Sequence, residues 1–152
     1  MRVVGIDLGE RRIGVAVSDS GGTLAVGHET VTRTGDETAD HAALARIVAE
    51  TGAQRVVIGL PLSLDGTEGR AARKVTAEAA AIGAFLGVPV ELYDERFTTV
   101  EASRALAGAG MRSRARRRVV DEAAATVLLQ SWLDGRSGHG APASSEPGSE
   151  PR

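Results

Sequence analysis

The sequence predicts an α/β fold with one five-stranded mixed sheet, strand order 3-2-1-4-5, and helices on both faces. Three observations lead to the mixed sheet and its covering helices. Three β-rich runs follow one another within residues 2–32, joined too tightly to admit a crossover. Two later apolar runs are each preceded by a segment with helical spacing, which makes them parallel strands with right-handed crossovers. The first of these, Arg55–Leu60 (RVVIGL), is apolar almost throughout, as expected of a strand covered on both faces.

Arg2–Leu8 (RVVGIDL) and Arg12–Ser18 (RIGVAVS) are short β-rich runs, and the glycine-containing segment between them suits a hairpin. A third run, Leu24–Thr32, follows the Ser20-Gly21-Gly22 turn. The period then changes: Ala42, Ala45, Val48 and Ala49 fall at helical spacing in Thr38–Thr51, and Gly52 is placed to stop the helix. Thr67–Leu86 is an Ala-rich helix ending at Gly87, and Val88–Tyr93 is the last strand. Helices follow at Thr99–Ala107 and Arg117–Leu133. Residues 1–134 read as one domain. Residues 135–152, GRSGHGAPASSEPGSEPR, offer almost nothing to bury and read as a disordered tail.

Composition removes several function classes. With no cysteine among 152 residues, thiolate nucleophiles, disulfides and cysteine-ligated metals are excluded. The chain needs no oxidising compartment and fits the cytoplasm. Met1-Arg2 leads straight into the first strand, so no signal peptide is expected, and no apolar run is long enough to span a membrane. Aromatic residues are 3%, too few for a base-stacking platform, and the net charge of −2 argues against indiscriminate DNA coating. Contact with nucleic acid has to be local.

Four clusters could carry chemistry. Asp7 ends the first strand among Gly5, Gly9 and Gly14, small residues that let a substrate or ion approach the backbone. It reads equally well as a carboxylate capping the hairpin turn. Glu95 lies just past the last strand, where open α/β sheets place ligands. Thr98 and Glu101 nearby fit a capping box. Asp121 shares one helical stripe with Ala124, Ala125, Leu128 and Trp132, where an unpaired carboxylate is costly. It could also simply complement the helix dipole. Arg112, Arg114, Arg116, Arg117 and Arg118 crowd the segment before it. They form either a solvated loop or a set of phosphate contacts. In the segment 59–69, Ser63, Thr67 and backbone N–H groups at a helix start could hold a phosphate, or Thr67 could merely cap the helix. His28, His41 and His139 fall in a strand, on an exposed helix and in the tail, and receive no role.

GIDLGxxRIGVAVSD (Gly5–Asp19), GLPLxxDGTEG (Gly59–Gly69), DERxTTxEA (Asp94–Ala102) and VDxxAAxxLLQxxLD (Val120–Asp134) together resemble the YqgF family, also called RuvX. Its members are described as candidate pre-16S rRNA nucleases and as Holliday-junction-resolvase-like proteins. The resemblance implies a ribonuclease-H-like fold, which the element order also suggests, and a cytoplasmic hydrolase. The acidic triad it implies falls on Asp7, Glu95 and Asp121. Where family members often carry lysines before the last acid, this chain supplies arginines.

The leading expectation is metal-dependent phosphodiester hydrolysis. The three carboxylates would bind Mg²⁺ or Mn²⁺, hard cations that prefer oxygen ligands. Two ions about 4 Å apart would activate water and stabilise the leaving oxygen. The partner is then a structured RNA, such as pre-16S rRNA in a pre-ribosome, or branched DNA. The arginines and Ser63 and Thr67 would grip its backbone. Two rivals differ in class. The GIDLG hairpin also suits an actin-like ATPase, but the chain lacks the second domain such enzymes need. A ribosome-assembly module that binds RNA without cutting it would bind equally well in chelator. Geometry sets one condition: in the order 3-2-1-4-5, Glu95 starts two strands from Asp7, roughly 10 Å between backbones, and has to lean inward.

Overall fold

The computed structural model of the chain describes residues 1–98 and 114–137. The sheet runs β1 (Val3–Leu8), β2 (Arg12–Ser18), β3 (Ala25–Thr32), β4 (Arg55–Leu60) and β5 (Val90–Asp94), in the spatial order β3-β2-β1-β4-β5. β1–β2 and β2–β3 are antiparallel, whereas β1–β4 and β4–β5 are parallel. Helices α1 (Glu37–Thr51), α2 (Arg70–Leu86) and α3 (Arg114–Ser137), with a 3₁₀ turn at Glu95–Phe97 after β5, complete the described elements. The expected topology is the observed one. Among the described residues, no helix is long and apolar enough to cross a membrane.

Strand alternation builds two cores. Val4, Ile6, Ile13, Val15, Val56 and Ile58 point to the face that α1 and α2 cover with Leu44, Ile47, Val48, Val75, Ala79 and Ile82. Val3, Ala16 and Val57 point the other way, against Ala125, Leu129, Trp132 and Leu133 of α3. Gly5 lies on that second face, and a Cβ there would sit 2.7 Å from Leu129 Cβ, so α3 presses directly onto the centre of the sheet.

Several boundaries differ from expectation for local reasons. α1 starts at Glu37 because the Asp36 carboxylate accepts from the Thr38 and Ala39 N–H groups, and it stops at Gly52 (φ 71°) as expected. Its buried stripe is Asp40, His41, Leu44, Ile47 and Val48, while Ala42 and Ala49 are exposed. His41 is therefore buried rather than exposed, hydrogen-bonded to Glu78 Oε2 at 2.9 Å. α2 starts at Arg70 behind Gly69, not at Thr67. Thr67 instead closes a turn with Asp65, whose Oδ1 accepts from both its N–H (3.0 Å) and its hydroxyl (2.7 Å). α3 begins at Arg114 and runs through Gly135 to Ser137, past the expected boundary of the tail, with the Arg136 guanidinium 4.8 Å from the Trp132 ring centroid. The expected helix at 99–107, the Thr98–Glu101 capping box, Arg112, His139 and the tail from 138 lie outside the described residues.

Candidate active site

Asp7 is the last odd-numbered residue of β1, so it shares the α3 face with Val3 and Gly5. Its neighbour across β2 is Gly14. The β1–β4 register, which pairs Ile6 with Ile58, carries on to place Gly59 beside Asp7 on the other side. A buried carboxylate is thus flanked on both adjacent strands by glycine.

Each glycine admits another acid. At Gly14 a Cβ would fall 2.1 Å from the carbonyl oxygen of Asp121, so only glycine lets the first half of α3 descend far enough to bring Asp121 to the strand. At Gly59 a Cβ would come 2.8 Å from Glu95 Oε2 and 3.1 Å from Glu95 Cγ. The Glu95 side chain therefore lies across β4 towards β1. It leaves the sheet edge from a 3₁₀ turn, Glu95–Phe97, which the Asp94 carboxylate caps by accepting from the Arg96 N–H. The inward lean that the strand order requires is met, and Glu95 is buried by it.

The three expected acids line one cleft of ≈ 360 Å³, together with Arg11, Arg12 and Pro61. Oxygen donors arriving from β1, from the turn after β5 and from α3 make a set that suits a hard divalent cation. Asp121 is held by Arg12, whose Nε donates to Oδ2 at 2.6 Å. Sequence reasoning missed Arg12. Its signal was present, an arginine opening the strand that follows the Asp7 turn, but its partner lies 109 positions away.

Of the residues expected to grip a backbone, Arg114, Arg116 and Arg117 belong to the start of α3, not to a preceding loop. Ser63 and Thr67 sit in a loop whose amides are largely spent internally. Ser63 N–H donates to Thr67 O, Gly66 N–H to Ser63 O, and Thr67 N–H to Asp65. From this loop Pro61 reaches the cleft, and the Arg96 guanidinium ties its tip through Leu64 O at 3.3 Å.

A second polar cluster lies beyond the hairpin. Among the described residues, Glu37, His41 and Glu78 form a group whose ligand atoms all lie within 4.8 Å of one another. Arg33 already engages both Glu78 oxygens at 2.8 Å, and its Nε donates to Gly9 O at 2.8 Å. The cluster is an ion-paired strut from both helices to the turn next to Asp7. A cation there would have to displace Arg33.

A family model described as RuvX, Holliday junction resolvase, matches residues 1–135. A Myxococcus xanthus protein named "Putative pre-16S rRNA nuclease" is 48% identical over 134 residues, 88% of each chain. One of the same name from Anaeromyxobacter dehalogenans is 47% identical over 137 residues, covering 90% of this chain and 99% of its own. Among solved structures, RuvC of T. thermophilus in complex with a Holliday junction superposes with a TM-score of 0.55 at 20% identity, over 91% of this chain and 97% of that one. That likeness concerns the fold, and RuvC supplies the same sheet-and-helix frame. With the family match spanning the sheet and all three acids, the chain belongs to the RuvX family.

Proposed function

We propose that this protein is a divalent-metal-dependent nuclease that hydrolyses phosphodiester bonds, with Asp7, Glu95 and Asp121 as its catalytic and metal-holding residues. One observation carries the reading: three carboxylates from three separate elements line one cleft, and the two glycines flanking Asp7 are what let the other two in. Mg²⁺ or Mn²⁺ fits the all-oxygen donor set. Such a cation supplies an activated water and charge stabilisation at the leaving oxygen. The chain's own contribution is placement. Asp7 is fixed by β1, Asp121 by the seat of α3 on Gly14, and Glu95 by the capped turn beyond β5.

The substrate we favour is pre-16S rRNA, which the relatives' names mention, cut at its 5′ end within a cytoplasmic pre-ribosome. Arg112, Arg114, Arg116 and Arg117, with Ser63 and Thr67, would hold its phosphates. Branched DNA is the second reading, favoured by the description of the matching family. Cleavage-site mapping on a precursor 16S rRNA leader and on a four-way DNA junction, wild type beside Asp121→Asn, separates them. Cuts on the RNA that vanish in the variant support the first reading, and cuts confined to the junction support the second. RNA retained in chelator and never cut in Mg²⁺ or Mn²⁺ would mean a binding module instead.

A further inference from the structure

The Arg12–Asp121 pair lines the same cleft as Asp7 and Glu95, the proposed cation site. Its side chains are only 22% and 16% exposed. Arg12 is delivered there by a rigid turn. Its carbonyl accepts from Gly9 N–H at 3.0 Å, and the approach is so close that a Cβ on residue 9 would stand 2.5 Å from that oxygen. Its backbone is further fixed by pairing with Thr32. Helix α3 has no need of this ion pair as an anchor, because Ala124, Ala125, Leu128 and Leu129 are already buried against the protein. What the pair does is set a guanidinium against one of the three carboxylates that line the cleft.

We propose that Arg12 is a built-in counter-ion for the cation site: it holds Asp121 in the cation-free protein and passes to the substrate phosphate once a divalent cation takes that carboxylate. This rests on the reading of the cleft as a cation site. A guanidinium and a divalent cation are competitors for the Asp121 Oδ2 lone pairs that Arg12 now uses. The Gly9–Arg12 turn and the pairing with Thr32 hold the Arg12 backbone beside the cleft, so the released guanidinium stays within reach of it. Its planar fork of N–H donors, charged at any physiological pH, then matches a phosphodiester placed against the same carboxylates. Cation binding would thus create a phosphate contact that the cation-free protein lacks.

The test is Mn²⁺ titration by calorimetry on full-length wild type and Arg12→Gln. Losing the competitor should tighten Mn²⁺ binding by about tenfold, the equivalent of one charge-assisted hydrogen bond. Unchanged or weaker binding by a folded Arg12→Gln protein overturns the proposal. Wild type that binds no Mn²⁺ overturns it together with the reading of the cleft, so the two failures are distinct. A measurement on wild type alone guards against a variant that does not fold. The Arg12 Nε–H resonance, protected in chelator, should shift as Mg²⁺ is titrated, and a resonance indifferent to saturating Mg²⁺ overturns the exchange. Finally, binding of a four-way DNA junction in Ca²⁺ should lose roughly 0.9 from its salt slope in Arg12→Gln, and nothing in chelator. Equal loss in both conditions would make Arg12 a permanent phosphate contact and contradict the proposal.

Discussion

Glu95 lies across Gly59, its Oε2 2.8 Å from where a Cβ would stand. That contact lets a residue that begins beyond β5 reach the cleft containing Asp7 on β1, over a strand with no acid of its own. It also separates two effects that usually travel together, the integrity of the fold and the geometry of the site.

Gly59→Ala should impair the site and spare the fold. The atoms in the way belong to the Glu95 side chain, which can swing out. An alanine inside a strand also recovers about 0.5–1 kcal/mol of backbone entropy relative to glycine. Thermal stability should change by no more than about 1 kcal/mol, while cleavage falls by roughly 10²-fold, as expected when a reacting group is displaced by an ångström. Melting curves and single-turnover cleavage on one preparation check both halves.

Gly14→Ala should do the opposite. Here the obstacle is the Asp121 carbonyl at 2.1 Å, backbone that moves only if α3 lifts. The cost should be at least about 2 kcal/mol, as for overpacking a core, with a fall in Tm of roughly 5 °C or more. Cleavage should fall with stability. Full stability in this variant would show that α3 does not need its close seat on β2.

These two glycines also mark where the sequence was legible. Strand directions followed from connection lengths and the covering of β4 from its apolar run, both local properties of the chain, whereas the order 3-2-1-4-5 went with the family resemblance. The acids followed from motifs. The glycines were visible only as small residues near Asp7, because the atoms they accommodate come from residues 95 and 121. Arg12 was invisible for the same reason. The face of α1 was misjudged because Ala42, Ala45 and Ala49 also fall at helical spacing beside the true stripe, in which His41 and Asp40 are buried with partners. Thr67 looked like a helix cap until Asp65 claimed its hydroxyl.

Glu78 provides a pH signature. Burial raises its pKa, but hydrogen bonds from Arg33 and His41 outweigh burial and hold the carboxyl below its ordinary value of 4.5. A carboxyl that ionises more readily when folded stabilises the fold above its unfolded pKa and loses that contribution as pH falls through the folded value. Glu78→Gln should cost about 2 kcal/mol at neutral pH. Urea midpoints of wild type and variant should converge as pH drops below 4.5. Parallel curves would mean that the strut to Gly9 is energetically idle.

The arginines at the start of α3 oppose the helix dipole, so helix stability does not account for them. Replacing Arg114, Arg116 and Arg117 with Ala should flatten the salt dependence of RNA or junction binding by about two units. Cleavage at saturating substrate should fall much less than affinity, since none of the three acids is touched. An unchanged slope would mark the run as solvated surface.

The central claim is that a cleft organised around Asp7 hydrolyses phosphodiester bonds with a bound divalent cation. The most direct measurement compares cleavage of a precursor 16S rRNA leader by purified wild type and Asp7→Asn in Mg²⁺ or Mn²⁺, with melting curves to verify that both are folded. Cleavage should be present in wild type, lost in chelator, and abolished in a variant that melts like wild type. Cleavage by folded Asp7→Asn at the wild-type rate would contradict it.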